Sequence, residues 1–103
     1  MKLSEYQRLA RTTAIYPKEQ KLIYPTLGLT EEAGEVAGKV SKFIRDGHLD
    51  ESGLKKEMGD LLWYFAAIAN DMEFDLDEIA QMNLDKLASR KNRGVLGGSG
   101  DNR

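Results

Sequence analysis

The chain has 103 residues, 41% of them apolar, which is enough for one small domain with a modest core and too few for two catalytic domains. Its 15 Lys and Arg nearly balance 17 Asp and Glu, for a net charge of -2, which argues against a strongly basic nucleic-acid binder and against an acidic solvating tail. The absence of cysteine excludes disulfides, thiolate nucleophiles and zinc-thiolate centres, and the single His48 cannot build a histidine metal site within one chain, so metal chemistry would fall to oxygen ligands.

The charged opening MKLSEYQRLARTT and the lack of any apolar run approaching about 18 residues predict no signal peptide and no membrane span, hence a cytoplasmic protein. Leu3, Tyr6, Leu9 and Ala10 form a helical stripe, and Ser4 with Gln7 has the spacing of a capping box, predicting a short helix over about 4–14. Pro17 and Pro25 punctuate the next stretch, and Tyr16 to Tyr24 is predicted as a loop. From Thr26 to Ile44, Leu29, Ala33, Val36, Ala37, Val40, Phe43 and Ile44 recur at spacings of three and four, predicting a second helix that Gly47 ends. The loop RDGHLDES contains His48, to which no role is assigned. Leu54, Met58, Leu61, Leu62, Phe65, Ile68, Ala69 and Met72 predict a third helix over about 52–72, and Asp75 with Glu78 opens a fourth from about 76 to 91. Beyond Arg93, GVLGGSGDNR is expected to be a flexible tail, because its GGSG has neither the strand nor the helix of a phosphate-binding loop around it.

With no period-2 alternation and only short connections, the fold class is all-α: a bundle of four to five helices forming one domain over 1–93, with a Gly-rich tail over 94–103. Gly34 and Gly38 point away from the apolar stripe of the second helix at a cost of roughly 1 kcal/mol each, so close packing by a partner subunit is expected there, in a homodimer or homotetramer. Unstrained glycines facing solvent are the alternative.

The second helix contains Glu31, Glu32 and Glu35, and the third contains Glu57 and Asp60. At about 100° per residue, Glu32 and Glu35 stand at nearly the same offsets from their apolar stripe as Glu57 and Asp60 do from theirs. In antiparallel helices such offsets are mirror-related and can line one groove, with levels that differ by only about 4–5 Å. Four carboxylates so placed repel one another unless a cation neutralises them, and a hard ion, Mg2+ or Mn2+, suits oxygen ligands. Ordinary solvated carboxylates are the competing reading. On the fourth helix the inward row passes from Leu76 and Ile79 to Asn83, Lys86 and Arg90, a cationic lip that calls for anions such as phosphates, or else a frayed end reaching solvent. Lys39 and Lys42 lie on the carboxylate flank and could add phosphate contacts, Tyr64 on that flank could stack on a base, and Trp63 could stack or fill a subunit interface.

LGLTEEAGEVAGKVSKFIRDG followed by LKKEMGDLLWYFAAIA resembles the MazG-type all-helical nucleoside triphosphate pyrophosphohydrolases, whose signature is EExxE, a gap, then ExxD. The stretch NLDKLASRKNRG is similar to the trailing basic helix of that family, and the likeness runs from Tyr24 onward. It implies Mg2+-dependent cleavage of a nucleoside triphosphate between the α and β phosphates, giving a monophosphate and pyrophosphate. Position by position, it implies Glu32, Glu35, Glu57 and Asp60 as metal ligands and Glu31 as the group that orients or deprotonates the attacking water. Lys86 and Arg90 would stabilise charge on the phosphates, and Asn83 and Tyr64 would help hold substrate. It also implies dimers or tetramers with helices of more than one chain around the site, a house-cleaning role in the nucleotide pool, and specialised relatives acting on dUTP, dCTP or phosphoribosyl-ATP. A non-catalytic helical interaction module, binding a basic partner in the acidic groove, is the reading from another class.

Overall fold

A computed structural model describes residues 1–103 and consists of four α-helices and one short 3-10 turn, with no strand. The order is α1 (Leu3–Arg11), the turn (Lys18–Gln20), α2 (Ile23–Asp46), α3 (Glu51–Asp71) and α4 (Leu76–Asn92). The all-α expectation holds, and no helix is long and apolar enough to cross a membrane.

The helix ends differ from expectation in instructive ways. Lys2, not Ser4, precedes α1 and offers no side-chain cap. Gln7 serves another helix instead: its Oε1 accepts from the N–H of Leu76 at 3.0 Å while its Nε2 donates to the carbonyl of Phe74 at 2.7 Å, so α1 caps the start of α4. The chain leaves α1 at Arg11, and the hydroxyls of Thr12 and Thr13 donate back to Leu9 and Ala10. α2 begins three residues before the predicted start and absorbs Tyr24, because Pro25 falls in its first turn, where a helix has no use for the missing N–H. Leu22, just before it, is held at φ +65° and ψ -47°, the angles of a γ-turn that is rare and strained for an L-residue. Gly47 takes φ +74° and donates to Phe43 at 2.8 Å, the expected glycine stop. Asp50 caps α3 through the N–H of Gly53 at 2.9 Å. Asp75 caps α4 through Asp77 at 2.9 Å, rather than through Glu78 as the capping-box spacing predicted.

α2 and α3 pack along each other as a hairpin, α1 crosses α3, and α4 rests on α1. The buried centre is small and made mostly of alanines: Ala66 and Ala69 of α3 with Ala10 of α1 and Leu76 of α4, flanked by Tyr6, Trp63 and Ile79. Much of the predicted core is exposed, including Val40, Phe43, Ile44, Met58, Leu62, Phe65, Met72 and Leu87. The reason is geometric: the stripes of α2 and α3 meet only along one edge, and no other helix of this chain covers the remainder. The radius of gyration is 16.5 Å, against about 13 Å for a compact chain of this length. The accessible area is 7712 Å², against roughly 5,800 Å² from the usual mass scaling.

Gly34 and Gly38 meet nothing within 4 Å of a built Cβ, so within this chain the expected close packing is absent. It occurs nearer the start of α2, at Gly28, which lies against the ring of Tyr64. At the C-terminus, Arg103 donates to the carbonyls of Leu96 and Gly100, and Arg93 donates to the carbonyl of Arg103 at 2.8 Å, folding residues 94–103 back on the end of α4.

Candidate active site

The α2–α3 hairpin brings Glu32, Glu57 and Asp60 together, with one carboxylate oxygen of each within 4.8 Å of the others. Glu57 and Asp60 stand one turn apart on α3, so their side chains share a face, and Glu32 reaches them from the facing helix. Glu32 Oε2 is buried and has no hydrogen-bond partner, a costly state for a carboxylate oxygen. Burial, followed by the hydrogen bond to Glu57 and the charges of Asp60, Glu57 and Glu31, raises the Glu32 carboxyl from its ordinary 4.5 to about 7. With no cation bound, Glu32 therefore holds its proton to a higher pH than an ordinary carboxyl does. Three convergent carboxylates with one oxygen lacking a partner match a hard divalent cation in charge and donor type.

Glu31 and Glu35 are exposed and lie outside this cluster, although the charge of Glu31 still acts on Glu32 and Tyr64. Tyr64, one turn after Asp60, fits where Gly28 leaves room for its ring, so a side chain at position 28 would displace it. Its phenol is raised to about 12, first by its hydrogen bond with Tyr24, then by burial and the neighbouring negative charges, and it stays protonated as a donor. Tyr6 of α1 also feels the charge of Asp60, its phenol being raised by burial and by that carboxylate. The aromatic row continues outward: Tyr24 stacks on Tyr16 at 4.9 Å, and Trp63 meets Tyr64 edge-on at 5.2 Å. Trp63 donates from Nε1 to Thr13 at 2.8 Å, which ties it within the chain. Sequence reasoning missed Tyr6 and Tyr24 as neighbours of the site. A signal for Tyr24 exists, since Tyr24, Gly28 and Glu32 follow one another at i+4, but Pro25 makes the segment look like a loop.

The cationic candidates are placed elsewhere. Lys39 donates to Asp50 at 3.1 Å, across the hairpin loop. Lys86 reaches Asp101 of the tail at 3.0 Å. Arg90, only 5% exposed, donates to the carbonyl of Asp101 at 2.7 Å and approaches its carboxylate at 3.3 Å, leaving Nε without a partner. Nothing in the sequence pattern points to Asp101, whose carboxyl is held below the usual range by Lys86 and then Arg90. Asn83 borders a groove with Leu62, Phe65 and Ile79. The helix that holds Asn83, Lys86 and Arg90 packs on α1 rather than along the α2–α3 hairpin.

Residues 20–95 match the MazG nucleotide pyrophosphohydrolase domain. The chain belongs to that family. The match spans both acidic helices and all of α4, so the carboxylate triad and the Asn83, Lys86 and Arg90 row fall inside the MazG domain. The chain is also similar to the "Gene 37 protein" of Mycobacterium phage L5, at 46% identity over 114 aligned positions covering all of both chains. No solved structure matches it.

Proposed function

We propose that this MazG-family chain hydrolyses a nucleoside or deoxynucleoside triphosphate between the α and β phosphates, releasing the monophosphate and pyrophosphate. The observation that carries this reading is the triad of Glu32, Glu57 and Asp60, with an oxygen of Glu32 buried and without a partner. Those three would hold the cation, with Glu35, one turn along α2, as the fourth carboxylate. Bound there, Mg2+ or Mn2+ would neutralise phosphate charge and would lower the pKa of water. Glu31, exposed at the rim, accepts the proton of the attacking water. Tyr64 offers its phenolic hydrogen to the sugar or base, and Asn83 its amide. Lys86 and Arg90 stabilise the charge that gathers on the phosphates as the bond breaks. Lys39, paired with Asp50 as Lys86 is with Asp101, would add a phosphate contact.

Within one chain α4 packs on α1 rather than on the acidic hairpin, so the reading includes a second copy whose α4 brings Asn83, Lys86 and Arg90 to the triad, in a homodimer or homotetramer. The uncovered apolar side of the hairpin supports this: accessible area exceeds the compact expectation by roughly 1,900 Å², more than the about 800 Å² each partner buries in a standard interface. A cytoplasmic nucleotide-pool house-cleaning role accords with this chemistry, and no nucleic acid or membrane partner is part of the reading.

The test is release of pyrophosphate from a panel of canonical and modified nucleoside triphosphates, with Mg2+, with Mn2+ and with chelator. Chelator-sensitive release with monophosphate as co-product is expected, and Glu57→Gln is expected to lower it at least a hundredfold while helical circular dichroism stays intact. Silence across the panel from a folded oligomer would turn the acidic groove into a binding surface, as in the interaction-module reading.

A further inference from the structure

The register of α2 against α3 decides whether Glu32 reaches Glu57 and Asp60, because a slip of one residue moves it along the axis by about 1.5 Å and turns it by about 100°. The carboxylates cannot set that register themselves, since they repel. At the loop end the connection 47–50 and the bond from Lys39 to Asp50 at 3.1 Å hold the two helices in step, and the open end, where Glu32 lies nearer, needs a tie of its own.

At the far end of the hairpin, one oxygen receives two donors from the segment leading into α2. Asp71 Oδ2, at the last residue of α3, accepts from the backbone N–H of Leu22 at 2.9 Å and from the hydroxyl of Tyr16 at 2.8 Å. Leu22 is the residue held at φ +65°, so the bond fixes the backbone where it is least able to hold itself. Tyr16 then stacks on Tyr24 in the first turn of α2, Tyr24 meets Tyr64 at 6.2 Å, and Tyr64 lies on Gly28, one turn before Glu32. Burial and the bond to Asp71 push the Tyr16 phenol well above its ordinary range, so it remains a donor throughout the working pH range.

We infer that Asp71 is a positioning residue for the carboxylate site: by holding Leu22 and Tyr16 it sets the α2–α3 register that delivers Glu32 to Glu57 and Asp60. Its consequence for metal binding rests on the proposed role of the triad as a cation site, whereas its consequence for register does not. An unclamped Leu22 relaxes out of its strained γ-turn, the first turn of α2 shifts, and Gly28 moves off the Tyr64 ring.

The test uses the full chain and two readouts. The first is the upfield displacement of the Gly28 α-protons by the Tyr64 ring, read by NMR on isotope-labelled protein without metal. The second is Mn2+ affinity, read by electron paramagnetic resonance. Asp71→Leu is expected to lose at least half of the ring-current displacement and to weaken Mn2+ binding at least tenfold. Asp71→Asn keeps an oxygen acceptor and is expected to retain both within twofold. Adding Leu22→Gly to Asp71→Leu, which lets position 22 take a positive φ without strain, is expected to recover part of both. An unchanged Gly28 signal in Asp71→Leu overturns the inference, as does a lost signal with Mn2+ affinity equal to wild type. If wild type binds no Mn2+ while Asp71→Leu loses the signal, the metal reading fails and the register role stands. Should Asp71→Leu not fold, Asp71→Ser, whose hydroxyl is too short to reach both donors, carries the same expectations and the same overturning result.

Discussion

Glu32 is stabilised by a proton when no cation is present, and this fixes the sign of two predictions. Its carboxyl titrates at about 7 in the folded chain against 4.5 ordinarily, so between those values the folded state holds the extra proton and stability falls as pH rises. The apo protein is therefore expected to lose melting temperature from pH 4.5 towards pH 7 through this group, and Mn2+ or Mg2+ is expected to restore it at pH 8; scanning calorimetry with and without metal checks both. Glu32→Gln removes a charge its neighbours repel, so it is expected to raise the apo melting temperature at pH 8 while abolishing the stabilisation by metal. A variant that melted lower in the apo state would mean that Glu32 carries no repulsive load. The acidic residue types and their spacing were legible in the sequence, but the division among them was not. Glu32 and Glu35 share a helix face, and the packing of α3 along α2 half-buries Glu32 and leaves Glu35 in solvent.

Among the elements, four helices could be read from periodicity, while their ends depended on partners distant in sequence. Gln7 is spaced to cap its own helix and instead caps α4, 69 residues away, because α1 crosses where the first N–H of α4 is free. Gln7→Ala is accordingly expected to destabilise the chain by about 1 kcal/mol, read by urea denaturation, with hydrogen exchange rising at the start of α4 rather than in α1. The three glycines of α2 separate in the same way. Gly28→Ala drives a methyl into the Tyr64 ring and is expected to cost about 1–3 kcal/mol, with loss of pyrophosphate release. Gly34→Ala and Gly38→Ala meet open space within the chain and are expected to add roughly 0.5–1 kcal/mol each by helix propensity, if no partner lies against them. Dissociation of the oligomer in either variant would place a partner backbone at that face, as expected from the sequence.

For the whole molecule, Met58, Leu62 and Phe65 form an exposed apolar row on α3, the kind of surface that a subunit contact would cover. Light scattering is expected to give a dimer or tetramer for the wild type, and Leu62→Lys with Phe65→Glu is expected to shift it to monomer and to lower pyrophosphate release by more than tenfold, because the proposed site takes Lys86 and Arg90 from a second copy. A monomer that keeps full activity would place the complete site within one chain.

The sequence alone determined the helical class, the approximate helix spans, the acidic and basic rows and the family, because each is written in local periodicity or in residues at fixed spacing along one element. Tertiary structure decided which carboxylates converge, that Gly28 rather than Gly34 or Gly38 is the close approach within the chain, that Asp71 closes the hairpin and that Asp101 meets Lys86 and Arg90. These depend on helix register, crossing depth and the return path of the chain. Periodicity shows which face a residue occupies, and it contains no term for how far along that face a neighbour sits.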